Sequence, residues 1–242
     1  MTIGFLSALI LVGVFSGATA AVVGFGIGSL LTPVLALRVG MPIAVAAVAL
    51  PHAVATAFRC WRLRRSIDWP LLRRFGLISA AGGLAGALLY TRLGGRSLTI
   101  ALALLLILTG ITNITAPTSR PWSNRTAWLL GLLSGFFGGL AGNQGGVRAA
   151  ALLAFQLPPL TFVATATGTA LLVDLARTPI YLWRAGSALA PLWLPLTLAT
   201  LGVLVGTVIG ERILMGVTPS RFRQFVSFAV LALGLLLLAR AA

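Results

Sequence analysis

Acidic side chains are nearly missing from this sequence. Asp68, Asp174 and Glu211 are the whole set in 242 residues, which leaves no carboxylate cluster for Ca²⁺ or Mg²⁺. Histidine and cysteine occur once each, as His52 and Cys60. That pair does not make a zinc site, and a lone cysteine excludes an intrachain disulfide. Lysine is absent, all 18 basic residues being arginine. There is no Walker-type phosphate loop, no aspartate-rich prenyl-transfer motif and no Ser/His/Asp set with usable spacing. These absences argue against an ATP-driven pump or a membrane hydrolase, so we expect no enzyme activity, no cofactor and no metal.

Apolar residues are what the chain has in abundance. They make up 59% of it, with a mean hydropathy of +1.04 and only 9% charged residues, against roughly 25% in a soluble domain. The apolar runs are of the roughly 20-residue length that a helix needs to cross a hydrocarbon core, and they lack the alternation of barrel strands. The expected class is an all-α polytopic membrane bundle. The net charge of +15 sits mostly in short connections between apolar runs, where arginine sets topology against anionic headgroups. Its partner is therefore the lipid bilayer, with no nucleic acid expected. The first run, 3–20, ends in Ala18-Thr19-Ala20 like a signal-peptide cleavage site, but no positive charge precedes it, and we expect it to be retained.

The chain reads as a duplication. Gly13, Ser16, Gly17, Gly24 and Gly28 recur as Gly131, Ser134, Gly135, Gly142 and Gly146, all at an offset of 118. Pro42 falls near Pro158 and Pro159, and Gly82 and Gly86 near Gly202 and Gly206. We expect an N-terminal membrane repeat over 1–116, a connecting loop at 117–125 and a C-terminal repeat over 126–242. The apolar segments are 3–20, 21–37, 41–58, 71–91 and 97–116, then 127–142, 145–157, 159–183, 189–210 and 222–239. The second of each half is short, so about eight to ten segments are expected. Placing the six arginines of 59–74 in the cytoplasm and alternating from there puts eleven arginines inside and four outside. The arginine-rich connection of the first half matches an arginine-poor one in the second, so the repeats are expected to be inverted.

Polar residues inside apolar runs mark the candidate site. Gly142, Gly145 and Gly146 allow a helix break, Asn143 and Gln144 present hydrogen-bonding groups, and Arg148 falls in the first turn of the next helix. A cation there is poorly placed against the helix dipole unless an anion lies between them; the bland alternative is an arginine that snorkels to the interface or pairs with the loop. In the first half Gly24, Gly26 and Gly28 break the chain, Ser29 and Thr32 are the nearby hydroxyls, and Leu30 stands where the repeat has Arg148. His52, behind Pro51, is either a proton relay or a core histidine bonded to the carbonyl that proline frees. Thr165, Thr167 and Thr169 serve either gating or close packing. Asp174 and Arg177, three apart, suit an intrahelical ion pair or a gate. Asp68 and Glu211 are expected to pair with surface arginines.

The stretches GFGIGSLLTPVLAL, VGMPIAVAAVAL, RCWRLRRSIDWPLLRRFG, SAAGGLAGALL and GLAGNQGGVRAAALLAFQLPP, in this order, resemble the TauE/SafE sulfite exporter family, also called the 4-toluene sulfonate uptake permease family. The resemblance implies a multi-pass transporter of the bacterial inner membrane that moves sulfite, sulfoacetate or other organosulfonates under an ion gradient. On that reading the substrate is a small anion and the glycine-rich half-motifs fall on Gly24, Gly26 and Gly28 and on Gly142, Gly145 and Gly146. A passive anion channel and a non-transporting membrane scaffold are the alternatives. The Gly82/Gly86 and Gly202/Gly206 spacings fit either a contact within the chain or a homodimer.

Overall fold

The computed structural model describes residues 2–115, 123–143, 145–213 and 219–241. Among them the chain is helical and contains no strand. The first half carries α1 (Ile3–Val23), α2 (Ile27–Val39), α3 (Met41–Leu63), the short α4 (Trp69–Leu71), α5 (Leu77–Tyr90) and α6 (Gly95–Thr115). The second carries α7 (Asn124–Ala141), α8 (Gly145–Leu153), α9 (Pro159–Leu189), α10 (Trp193–Ile213) and α11 (Pro219–Ala241). The end of α7 and the starts of α8 and α9 each lie 118 residues after the end of α1 and the starts of α2 and α3. The offset read from glycines is thus also the offset of the backbone breaks.

The direction of each contact gives the arrangement of the halves. Contacts of α9 with α3 and the segment that follows it run in opposite senses, His52 of α3 meeting Asp174 and Asp68 at the cap of α4 meeting Thr165. On α6 and α11 Gly110 lies against Ser227 and Leu231, Gly234 against Ala103 and Ile107, and Arg96 Nε donates to the Ala241 carbonyl. Equivalent helices of the two halves are therefore antiparallel. In contrast, α1 runs parallel to α10 and α7 parallel to α5: Gly13 lies against Gly202 and Gly210 against Ala18, while Gly131 lies against Phe75 and Gly139 against Ala87. Each half's first helix thus packs along the next-to-last helix of the other half. A half-turn about an axis across the helices satisfies all four pairings, and this is the geometry of inverted repeats.

Close approach on these seams needs small residues. A Cβ on Gly17 or Gly206 would run into backbone carbonyls of α10 and α1, and one on Gly135 or Gly86 into those of α5 and α7. In a bilayer, where burying apolar surface between helices gains little, such backbone proximity is what dispersion contacts require. The Gly82/Gly86 and Gly202/Gly206 spacings accordingly make contacts within the chain.

Five stretches among the described residues are long and apolar enough to cross a membrane, and the last, Pro159–Arg212, contains both α9 and α10. The α2 helix, with 13 residues, is about 20 Å long, and α8, with 9, about 14 Å, both short of a hydrocarbon core of about 30 Å. These are the short second elements expected in each half. Exposed Trp61 and Trp69 mark one end of the bundle and exposed Trp183 and Trp193 the other, where tryptophan sits at the membrane interface. Contacts respect the sidedness assigned from the arginines: Arg62 pairs with Glu211, and Arg184 donates to the Thr91 carbonyl.

Two expectations need correction. Arg59 is not part of the surface connection: it lies inside α3 and is only 6% exposed. Asp68 does not pair with an arginine there; its carboxylate accepts the Leu71 N–H at 2.9 Å and caps α4. The reason is local, since the first helical turn leaves free N–H groups for which aspartate is a strong acceptor. The connecting loop expected at 117–125 lies largely outside the described residues, with α7 already begun at Asn124.

Candidate functional site

The two backbone breaks meet. Gly24 ends α1 at φ 83°, and Gly142 ends α7 at φ 73°, a left-handed cap that glycine adopts without Cβ strain. The chain then reverses into α2 and α8. A Cβ on Gly28 would strike the Gly142 carbonyl, and one on Gly145 the Phe25 side chain. Only glycine lets the two turns cross at this distance. Both short helices consequently begin at the crossing, with their unpaired N–H groups and positive dipole ends in one place.

A small cavity of about 20 Å³ lies at the crossing. From the breaks it is lined by Gly24, Gly26, Gly28, Ser29, Gly142, Asn143, Gly145 and Arg148; from α3 by His52, Thr56 and Arg59; from α9 by Thr167. Positions 52, 56 and 59 follow helical spacing and present one face of α3. Arg148 is 4% exposed; its Nη2 donates weakly to the Gly24 carbonyl at 3.4 Å, and its Nη1 has no partner. Asn143 accepts from Ser29 Oγ at 3.3 Å through Oδ1, while its Nδ2 is also buried without a partner. No carboxylate lines the cavity. Two buried arginines and an orphaned amide donor thus face a common space without a counter-charge in its lining.

Behind the cavity runs a satisfied polar chain. His52 Nδ1 lies 2.7 Å from Asp174 Oδ2, and Thr56 Oγ1 lies 3.3 Å from the same nitrogen. Asp174 accepts from Arg177 at 2.8 and 3.0 Å through Oδ1. Arg177 and Tyr181 then donate to the carbonyls of Gly138 and Gly139 on α7. The intrahelical ion pair expected at 174 and 177 is formed, and His52 is its third member. The alternative that His52 bonds a carbonyl freed by Pro51 is replaced by this cross-repeat contact. Since an ionised Asp174 only accepts, Nδ1 carries the hydrogen and the second ring nitrogen, Nε2, is left for other partners.

The remaining sequence-derived candidates separate by position. Thr167 lines the cavity, whereas Thr165 accepts the Asp68 N–H at 3.0 Å and Thr169 donates to the Thr165 carbonyl at 2.9 Å. Thr165 thus ties α9 to the cap of α4 and Thr169 bonds back within α9, and neither lines the cavity. Thr32 is buried with an unpartnered hydroxyl but is not in the cavity wall, and Gly146 packs on Thr109 of α6. Gln144 lies outside the described residues. Sequence reasoning missed Thr56 and Arg59. The usable signal was their helical spacing from His52, which placed all three on one face.

Fold and site together define a polytopic helical membrane protein whose inverted repeats cross at a buried cationic centre. The chain belongs to the sulfite exporter TauE/SafE family, whose model matches residues 9–237, and it is therefore a membrane transporter by family. Comparison with curated proteins and with solved structures gave no match.

Proposed function

We propose that the protein is a secondary transporter of small sulfur-containing anions, sulfite or organosulfonates, across the bacterial inner membrane, and that the cavity at the helix crossing is its substrate site. The observation that carries this reading is the set of unpaired buried donors: Arg148 Nη1 and Asn143 Nδ2, beside Arg59, with no carboxylate in the wall. A buried donor without a partner costs about 1–3 kcal/mol, and more if charged. A bound oxyanion offsets that cost by supplying acceptors. Ser29 and the N–H groups at the starts of α2 and α8, Gly145 among them, would complete the shell.

A cavity of about 20 Å³ holds little more than a water molecule. A three-oxygen anion therefore enters only when the surrounding helices separate, as in alternating access about a fixed central site. His52 stands in the wall with its Nδ1 held by Asp174, and an N–H at its Nε2 would give the anion a further donor. This is the route by which a proton gradient would couple to transport, with Asp174 and Arg177 holding the relay in place. Transport, with no chemical conversion of substrate, is the whole activity proposed.

The test is uptake of labelled sulfite into proteoliposomes carrying wild type or Arg148→Ala, with and without an imposed proton gradient. Saturable flux in wild type that is lost in a folded Arg148→Ala protein is the expected result. Flux that is linear in sulfite concentration and indifferent to the gradient would instead establish a passive channel. No flux of sulfite or of an organosulfonate in wild type would overturn the reading.

A further inference from the structure

The repeat offset places Arg59 on Arg177, Thr56 on Asp174 and Ala20 on Gly138. In the second half this triplet is complete in itself. Arg177 is 1% exposed, holds Asp174 through Nε and Nη2, and donates to the Gly138 carbonyl through Nη1. In the first half the equivalent triplet forms part of the cavity wall: Ala20, Thr56 and Arg59 all line it. Arg59 is as deeply placed, at 6% exposed, but the position that supplies its twin's carboxylate holds a threonine. Glu211, the acid whose field reaches Arg59, is bonded to Arg62 at 3.0 Å.

We propose that the two repeats contain equivalent anion half-sites, that Asp174 is a built-in anion filling the second, and that the transported anion takes the corresponding place beside Arg59 and Thr56 in the first. The inference rests on the reading of the cavity as a substrate site and goes further by naming the cation, the position that keeps it available and the shape of the ligand. Asp174 serves as the template. It puts one oxygen on a guanidinium and the other on His52. A substrate head with at least two oxygens on one atom, a sulfite, sulfonate or carboxylate, would likewise put one oxygen on Arg59 and another on the Thr56 hydroxyl or His52. Arg148 then approaches from the other repeat, so each half contributes one cation to a single bound anion.

The experiment measures sulfite binding to the purified full chain by calorimetry, with melting temperature followed in parallel, for wild type, Arg148→Ala, Arg59→Gln, Arg59→Lys, Thr56→Asp and Thr56→Asn. Thr56→Asp supplies the first half with its own carboxylate and should weaken sulfite binding by at least about tenfold. Thr56→Asn, with the shape of aspartate and no charge, loses only the hydroxyl and should weaken binding at least about threefold less than Thr56→Asp does. Arg59→Gln should lose binding as Thr56→Asp does, Arg59→Lys should recover part of it, and Arg59→Gln and Thr56→Asp, which remove or pair a buried charge, should melt no lower than wild type. If Arg59→Gln and Thr56→Asp bind like wild type while Arg148→Ala does not, the half-site inference falls and the transporter reading stands. Equal losses in Thr56→Asn and Thr56→Asp would also overturn it, since shape and not charge would then control the position. Wild type that binds neither sulfite nor methanesulfonate removes the parent reading and this one with it.

Discussion

Replacing Asp174 by asparagine keeps the side-chain shape and removes one charge from a pair that is almost wholly enclosed, at 0% and 1% side-chain exposure. The size of the effect separates two accounts of the network. If the contacts act as ordinary hydrogen bonds between membrane helices, each is worth about 0.6 kcal/mol, and losing the ionic character of three should cost about 1–2 kcal/mol. If the Arg177 guanidinium is instead left as an uncompensated buried charge, the cost is about 3–5 kcal/mol. We expect the larger figure, because the other partners shown for Arg177 among the described residues, the Gly138 carbonyl and Tyr181, carry no negative charge. At about 2–4 °C per kcal/mol for a chain of this size, Asp174→Asn should melt roughly 6–20 °C below wild type in detergent. The double variant Asp174→Asn/Arg177→Gln removes both charges and should recover more than half of the loss. A single variant melting within about 2 °C of wild type, or a double variant at the sum of the two single losses, would refute the argument that ionic pairing holds this network.

Two further predictions concern the framework. Gly135→Leu forces a side chain into the Ser79 carbonyl at the α5/α7 seam and should destabilise by about 3 kcal/mol or more, whereas Gly4→Leu, with nothing within 4 Å, should melt like wild type; equal melting of both would contradict the seam. In a Cys60→Ala background, single cysteines at Arg64 and Trp183 mark opposite ends of the bundle, and a membrane-impermeant maleimide applied to spheroplasts should label only the second, since the arginine-rich end faces inward. Labelling of both from outside would contradict the antiparallel packing of α3 and α9.

The duplication was legible because glycine leaves a mark wherever backbones must approach or reverse: the same residues that matched at one offset end α1 and α7 and let the two breaks cross. The site was legible only in part. Asn143 and Arg148 stood out as polar residues in an apolar run, but Arg59 was hidden by its neighbours, since an arginine at the edge of a cluster of six looks like one more interface charge. Its burial depends on where α3 ends, at Leu63, and helix ends are weakly marked in sequence. The bond between His52 and Asp174 joins residues 122 apart and follows from the antiparallel packing of α3 on α9, which periodicity alone does not give. Among the threonines of α9, sequence showed a polar patch, while helical rotation decided that only Thr167 of the three reaches the cavity.

The inequality of the halves has a mechanical consequence. Inverted repeats with identical sequences would present two anion sites related by the half-turn, and a transporter rocking between two equivalent states would hold an anion in each. Here the second half is neutralised within itself by Asp174 and Arg177, both almost wholly buried, and is anchored on the α7 carbonyls. Its polar network fixes α9 against α7. The first half has Arg59 but no resident carboxylate on its helix, so on the half-site proposal its contacts would be completed by the substrate. A ligand shifts a conformational equilibrium only by its differential affinity for the two states. We propose that substrate supplies this difference at Arg59 and Arg148, drawing α3 toward the start of α8 while the α7/α9 side stays fixed. On this proposal the repeat fold would have two interconvertible arrangements, and Thr56, standing where the second half has Asp174, would leave an anion from outside the protein to close the site.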